Sequence, residues 1–273
     1  MFQPKTISEQ MQYNTVRLRT NSNSTGTGFF FQFRINNQNI PVIITNKHVI
    51  NDEENEEVNF FLHSKNKDGL DSEKINIKLK PKWYFHEDKD LCFCFFAPLL
   101  NQIKEQIHKE VFFIPITEDF VWDNTKLEEL SAIEEIIMVG YPIGLWNKKN
   151  NLPLFRKGIT ASHPAFDFNT KNIGVVDMAC FPGSSGSPIF ILNENGFSDK
   201  KGTTHLGAKR VIFLGVLFQG PQFNTEGDLI IENIPTRQKV ITPLMVNLGY
   251  YIKSIELLNF KTTIEKVLSE HNK

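Results

Sequence analysis

Three side chains in this 273-residue chain stand where a serine nucleophile and its helpers would be needed. Ser185 lies in Phe181-Pro182-Gly183-Ser184-Ser185-Gly186-Ser187-Pro188, held between glycines with a proline just beyond. Glycines there allow backbone conformations that a side chain would block, and they let a carbonyl approach main-chain N–H groups. A serine hydroxyl is a poor nucleophile at neutral pH and needs a base within hydrogen-bond reach. An imidazole suits that role, and a carboxylate orients it and stabilises its protonated form. His48 follows an apolar run directly, in Thr45-Asn46-Lys47-His48-Val49-Ile50, and Asp90 directly precedes another, Leu91-Cys92-Phe93-Cys94-Phe95-Phe96. Asp88 competes with Asp90, but only Asp90 adjoins the run. Ser184 and Ser187 compete with Ser185, which is favoured because it is flanked upstream by Gly183 and downstream by Pro188. On its own the octapeptide reads equally as a Gly/Ser/Pro surface turn. The order His, Asp, Ser, each at the end of an apolar run, favours chemistry.

The elements that must position these residues are mostly strands. Thr15 to Thr20 alternates apolar and polar, as a half-buried strand does. Gly26-Thr27-Gly28 leads into Phe29–Ile35, the tract Asn36–Asn39 reads as a hairpin loop, and Ile40–Thr45 returns as the partner strand. Further strands are expected near Val58–His63, Ile75–Leu79, Glu135–Gly140, Phe155–Ala161, Ile173–Met178, Pro188–Leu192, Val211–Phe218 and Leu229–Ile231. Leu99, Ile103 and Ile107 share one helical face, which predicts a helix over Pro98–Lys109. A C-terminal amphipathic helix is expected over 246–273. Many short strands with turn signals between them indicate an all-β barrel or sandwich. The polar, acidic stretch 117–131 reads as a connector, dividing the chain into 1–116 with His48 and Asp90, 132–245 with Ser185, and the terminal helix.

Composition excludes several classes. A hydrophobic content of 40% with 22% charged residues describes a globular protein with ample core, and 24 phenylalanines must carry much of the packing. The formal charge of −1 gives no electrostatic reason to expect nucleic acid or an anionic membrane as partner. The N-terminus is polar, without the apolar stretch of a signal peptide, and the longest apolar run falls well short of the ~20 residues of a membrane span. Cys92, Cys94 and Cys180 cannot form a disulfide framework and read as reduced, packed thiols in a cytoplasmic protein. No cofactor is expected, and no metal site, because no histidine or second cysteine pair completes a ligand set. His63, His86, His108 and His163 show no partner pattern and read as surface or satisfied core residues.

Taken together, GTGFFF, TNKHV, DLCFCFF, VGYPIG, PGSSGSPIF and FLGVLFQG resemble, in order, the motifs of trypsin-like (chymotrypsin-fold) serine proteases. The local style is that of bacterial members with TNxHV around the histidine, and the likeness covers about residues 15 to 245. The resemblance implies two six-stranded antiparallel β-barrels with the active site between them. It implies His48 as base and then acid, Asp90 as its orienting carboxylate, Ser185 as nucleophile, and the N–H groups of Gly183 and Ser185 as oxyanion hole. It further implies that Phe218-Gln219-Gly220 pairs with the substrate backbone and that Ala179 forms the floor of the specificity pocket. A small apolar floor favours an uncharged P1 residue, while Lys239, if near the pocket, favours an acidic one. Unlike secreted relatives, the sequence shows no activation site before Thr15 and no disulfides; unlike many bacterial relatives it shows no PDZ-length segment after Pro243, and Ser184 stands where the family usually has an acidic or polar residue before the nucleophile. Two functions compete: an intracellular serine endopeptidase acting on protein or peptide substrates, and a silent or partner-activated protease fold serving as an interaction module. A regulatory protein partner, in a bacterial stress or phage-defence setting, fits either.

Overall fold

The run Phe29-Phe30-Phe31-Gln32-Phe33 is apolar on both sides because the strand that carries it is a wall between two cores. The computed structural model describes residues 3–271 apart from 23, 221, 230–237 and 246, with only the backbone for 222–229, 238–245 and 271. The first half contributes β1 (Thr15–Thr20), β2 (Thr25–Ile35), β3 (Gln38–Thr45), β4 (Val58–Asn66), β5 (Gly69–Leu79), β6 (Tyr84–Phe85), β7 (Cys92–Phe95), β8 (Glu110–Phe112) and β9 (Ile116–Thr117). They form one nine-stranded sheet in the order β5-β4-β1-β2-β3-β7-β6, with β8 on β4 and β9 on β2. Phe30 of β2 packs with Val16, Leu18, Trp83 and Phe96 on the inner side of this sheet. Phe29, Phe31 and Phe33 point the other way, into a cluster shared with Phe190, Phe213, Val216 and Ile252 of the second half. Both faces of β2 are therefore dry, which a continuous apolar run supports and strict alternation does not.

The second half contributes β10 (Glu135–Gly140), β11 (Leu154–Thr160), β12 (Ile173–Asp177), β13 (Pro188–Asn193), β14 (Gly196–Ser198), β15 (Thr204–Leu206), β16 (Arg210–Gln219), β17 (Gln222–Leu229), β18 (Gln238–Met245) and β19 (Leu248–Lys253). Strands β10-β11-β12-β19-β16-β13 close into a barrel, while β14–β15 and β17–β18 are separate two-stranded sheets. Met138, Val176, Ile189, Ile191 and Leu214 fill the barrel.

Three expectations need correction. Among the described residues one six-stranded barrel closes, and the first sheet is open, ending at β5 and β6. Pro81 lies between those strands and cannot donate to a ladder, and the fully buried Trp83 fills the core there. The expected helix over 246–273 begins only at Phe260: Leu248–Lys253 is the strand that pairs with both β12 and β16 and closes the barrel. Its Tyr250-Tyr251-Ile252 core is strand-forming chemistry that a helical wheel also accepts. The hairpin after β2 turns on Asn36 and Asn37 alone, both at positive φ (48° and 62°), so Gln38 and Asn39 already belong to β3. Two left-handed residues give the turn whose twist matches that of paired strands.

The first helix of any length is Phe96–Ile107, turning Phe96, Leu99 and Ile103 into the core of the first sheet. The C-terminal helix Phe260–His271 packs Phe260 on Phe93 at 4.9 Å between ring centroids, so the end of the chain straps back over the first half. The part of the expected strand Leu229–Ile231 beyond Leu229 lies outside the described residues. Among the described residues no helix is long and apolar enough to cross a membrane.

Candidate active site

His48 and Asp90 are brought together by the pairing of β3 with β7. That ladder sets Thr45 opposite Cys92, so the chain leaving β3 and the chain entering β7 emerge side by side. His48 sits in the short 3-10 turn Lys47–Ile50 that follows β3. Its Nδ1 is 2.6 Å from Asp90 Oδ2, and its main-chain N–H donates to Asp90 Oδ1 at 3.3 Å. Asn46 Nδ2 donates to the Asp90 carbonyl at 2.6 Å, pinning the loop from the other side. A proton on Nδ1, facing the carboxylate, leaves Nε2 as the basic nitrogen.

Asp88, the competing carboxylate, plays no part in that pair. Its main-chain N–H and that of Lys89 donate to Nδ1 of His86, at 3.2 and 3.1 Å. With Nδ1 accepting, the His86 proton sits on Nε2, 3.1 Å from Glu256 Oε2, and both side chains are buried. Glu256 Oε1 in turn accepts from Asn172 Nδ2 at 2.7 Å. The loop that carries Asp90 is thus held from beneath by the C-terminal strap. Sequence reading gave His86 no partner, and no local signal joins it to a glutamate 170 positions away.

Ser185 lies in the loop between β12 and β13. Two tight turns shape it, Ser184 N–H to Phe181 carbonyl (2.9 Å) and Ser187 N–H to Ser184 carbonyl (3.0 Å). Gly183 and Gly186 take φ of 85° and 82°. A Cβ on Gly186 would lie 1.9 Å from the Thr27 carbonyl oxygen, and one on Gly183 would lie 2.9 Å from that of Tyr141. Both positions therefore demand glycine. Among the described residues, the N–H groups of Gly183 and Ser185 donate to nothing, and Ser185 Oγ makes no hydrogen bond, to His48 or otherwise. Ser184 and Ser187 are fully buried, whereas Ser185 is half-buried and lines a cavity.

Thr27, fully buried in β2, joins this loop to the first half. Its N–H donates to the Ser185 carbonyl (2.9 Å). Its Oγ1 donates to the Gly183 carbonyl (3.2 Å) and accepts from Ser187 Oγ (3.1 Å) and the Tyr141 N–H (3.1 Å). That exhausts the capacity of a hydroxyl. Thr45 Oγ1, three residues before His48, donates to the Thr27 carbonyl at 2.8 Å. Sequence reading held Thr27 only as part of GTGFFF. Its hydroxyl holds the serine loop and its carbonyl holds Thr45 of the strand that leads to His48.

The cavity beside Ser185, about 480 Å³, is lined by Cys180, Phe181, Pro182, Ser185, Leu217, Gln219 and Gly220. Neither Ala179 nor Phe218 lines it: the wall is made by Cys180, the neighbour of Ala179, and Phe218 faces a second cavity of about 480 Å³. The second cavity runs past Asp88, Lys89, Asp90, Phe168 and Tyr250, and Gln219 lines both, so Asp90 and Ser185 border adjoining spaces. Burial pushes the Cys180 thiol up to about 11, so it stays protonated near neutral pH. All three cysteines are free and buried. The side chain of Lys239 lies outside the described residues.

The fold and this site define a peptidase-like class: a histidine and a carboxylate beside paired strand ends on one half, and a glycine-framed serine loop on the other. A family model for the trypsin-like peptidase domain matches residues 26–196, more than half of the chain, and the chain belongs to that family. Among solved structures, the scabies mite inactivated protease paralogue S-I1 is similar at 12% identity and a TM-score of 0.43, over 94% of this chain and 96% of that one. No curated protein matches.

Proposed function

We propose that the chain is a serine endopeptidase acting through His48, Asp90 and Ser185. The observation that carries this reading is the 2.6 Å His48–Asp90 pair, held through Thr45 and Thr27 beside a serine loop with two undonated N–H groups. Ser185 Oγ attacks the peptide carbonyl carbon while its proton passes to His48 Nε2. The oxygen, now negative, is received by the N–H groups of Gly183 and Ser185. His48 then gives its proton to the leaving amine, the C–N bond breaks, and an ester to Ser185 remains. Water, deprotonated by His48, hydrolyses that ester and restores the hydroxyl. Asp90 keeps the proton on Nδ1 and stabilises the imidazolium. Ser185 Oγ is unbonded in the free protein, which leaves it able to turn toward Nε2 when substrate arrives; such hydrogen bonds commonly tighten only in the complex.

The pocket beside Ser185 presents Leu217, Phe181 and the neutral Cys180 thiol, with no carboxylate, and favours an uncharged P1 side chain. On this reading Gln219 and Gly220, which line the same pocket, meet the substrate backbone. Three buried free thiols support a reducing, cytoplasmic setting. The test is a peptide-library cleavage profile: cuts after uncharged residues, absent with Ser185→Ala, are expected. Cuts that persist in that variant, or that follow Lys and Arg, would refute the reading.

A partner-activated form of the same fold is the second reading. It is favoured by the missing Ser185–His48 hydrogen bond and by Ile143, whose φ of 53° is rare for a β-branched residue and whose N–H bonds the Pro182 carbonyl at 2.6 Å. On this reading the library is cut only after a regulatory protein repositions that turn.

A further inference from the structure

Arg17 is a buried cation without a counter-charge among the described residues. It sits in the middle of β1 and is only 6% exposed. Its guanidinium lies 4.0 Å from the ring centroid of Trp146 and 4.7 Å from that of Phe61, one aromatic from each half of the protein. Among the described residues no nitrogen of this group has a hydrogen-bond acceptor, and Nε is wholly enclosed. Burial holds its pKa below the usual arginine range, with the like charge of Arg19 adding to the effect. A charge withdrawn from water is ordinarily paired, because desolvation otherwise outweighs what surrounding rings return.

The surroundings deepen the imbalance. Arg19 approaches the Phe61 ring at 5.8 Å, and Lys148 approaches Trp146 at 5.2 Å. Lys74 Nζ is spent on the main-chain carbonyls of Lys148 and Lys149. None of these four cations forms an ion pair among the described residues. The result is a positive, aromatic-walled site with no anion among the described residues.

Its position says which anion. A Cβ on Gly144 would lie 3.6 Å from Arg17 Nη2, and one on Gly183 would lie 3.3 Å from Gly144 N. Arg17 therefore stands just beyond the turn that flanks the serine loop. Neither cavity near Ser185 is lined by that turn. On the proposed reading, in which Gln219 and Gly220 meet the acyl part of the peptide between these cavities, the leaving-group side extends past Gly183 toward Gly144 and Arg17. At ~3.3 Å per extended residue, that path takes about two to three residues.

We propose that Arg17 recognises an acidic side chain of the substrate, at the second or third residue past the cleaved bond. Asp or Glu there supplies the absent counter-charge through charge-assisted hydrogen bonds to the terminal guanidinium nitrogens. The proposal rests on Ser185 being the nucleophile, and the test separates the two. Peptides matched except for Glu or Gln at those two positions are compared in the wild-type protein. A kcat/KM about tenfold higher for the Glu peptide is expected, with the Glu/Gln ratio collapsing to about one in Arg17→Met, which keeps the stem and removes the charge. Equal rates for the two peptides in the wild type would overturn the proposal while leaving Ser185 in its role. If neither peptide is cut, the nucleophile reading fails first, and affinity decides the site. Both peptides, fluorescently labelled, are titrated into Ser185→Ala by anisotropy: about tenfold tighter binding of the Glu peptide supports it, and equal binding overturns it.

Discussion

Asp90→Asn removes one charge from the site and almost nothing else. The carboxylate accepts both the Nδ1–H and the main-chain N–H of His48, at 2.6 and 3.3 Å. The Asp90 carbonyl that Asn46 holds is untouched by the change. When His48 takes the serine proton, the imidazolium and carboxylate charges sit ~4 Å apart, worth about 4 kcal/mol at an effective dielectric of ~20. That is about 10³-fold in rate. Water reaches both side chains, 44% and 29% exposed, and trims this figure. A second effect restores it: an amide NH₂ facing Nδ1 donates to it and moves the ring proton to Nε2, the nitrogen that must act as base. Together these predict a fall of about 10³–10⁴ in kcat/KM, mostly in kcat, of the size seen when such a triad loses its carboxylate charge. The assay is steady-state hydrolysis of the best library peptide, with thermal unfolding as control. A folded variant within tenfold of wild type would refute the argument.

Gly186→Ala would set a methyl 1.9 Å from the Thr27 carbonyl at a φ of 82°. A loss of about 3 kcal/mol or more is expected in urea unfolding, and a change under 1 kcal/mol would contradict the packing described. Ile143→Asn relieves a left-handed β-branched residue (φ 53°) and should stabilise by about 1 kcal/mol; an unchanged urea midpoint would show that the turn stores no strain. Burial lowers the pKa of His63 from 6.5 to about 4, so the unfolded chain binds this proton more readily than the folded protein. Its contribution is therefore complete above pH ~6.5 and is lost as pH falls toward 4, by at most about 3 kcal/mol. His63→Gln should flatten the stability profile between those values, and an equally steep profile would count against the assignment.

What the sequence disclosed depended on how local each signal was. Asp90 could be preferred to Asp88 because its place at the head of β7 is a one-strand feature. The glycine frame of Ser185 was readable because its backbone demands are written into adjacent residues. Features made by distant chain segments were not. Arg17 looked like the outward, polar position of an alternating strand, yet β1 lies between β2 and β4, and Trp146 from the other half covers it. Thr27 showed its three hydroxyl partners only once Gly183, Ser187 and Tyr141 were folded against it. The segment Leu248–Lys253 fits a helical period and a strand period alike, and barrel closure decides between them. Cys180, which lines the pocket beside Ser185, was not singled out, because side-chain direction along an extended chain follows register, which spacing alone does not fix.

The central claim is that Ser185 is a nucleophile activated by His48. A fluorophosphonate probe, followed by intact mass and peptide mapping, tests it most directly, because the reagent bonds only to a serine whose hydroxyl is activated and accessible. One adduct on Ser185 is predicted, lost in Ser185→Ala and reduced about 10³-fold or more in rate in His48→Ala. An adduct on Ser184 or Ser187, or labelling that survives in His48→Ala at the wild-type rate, would contradict the claim.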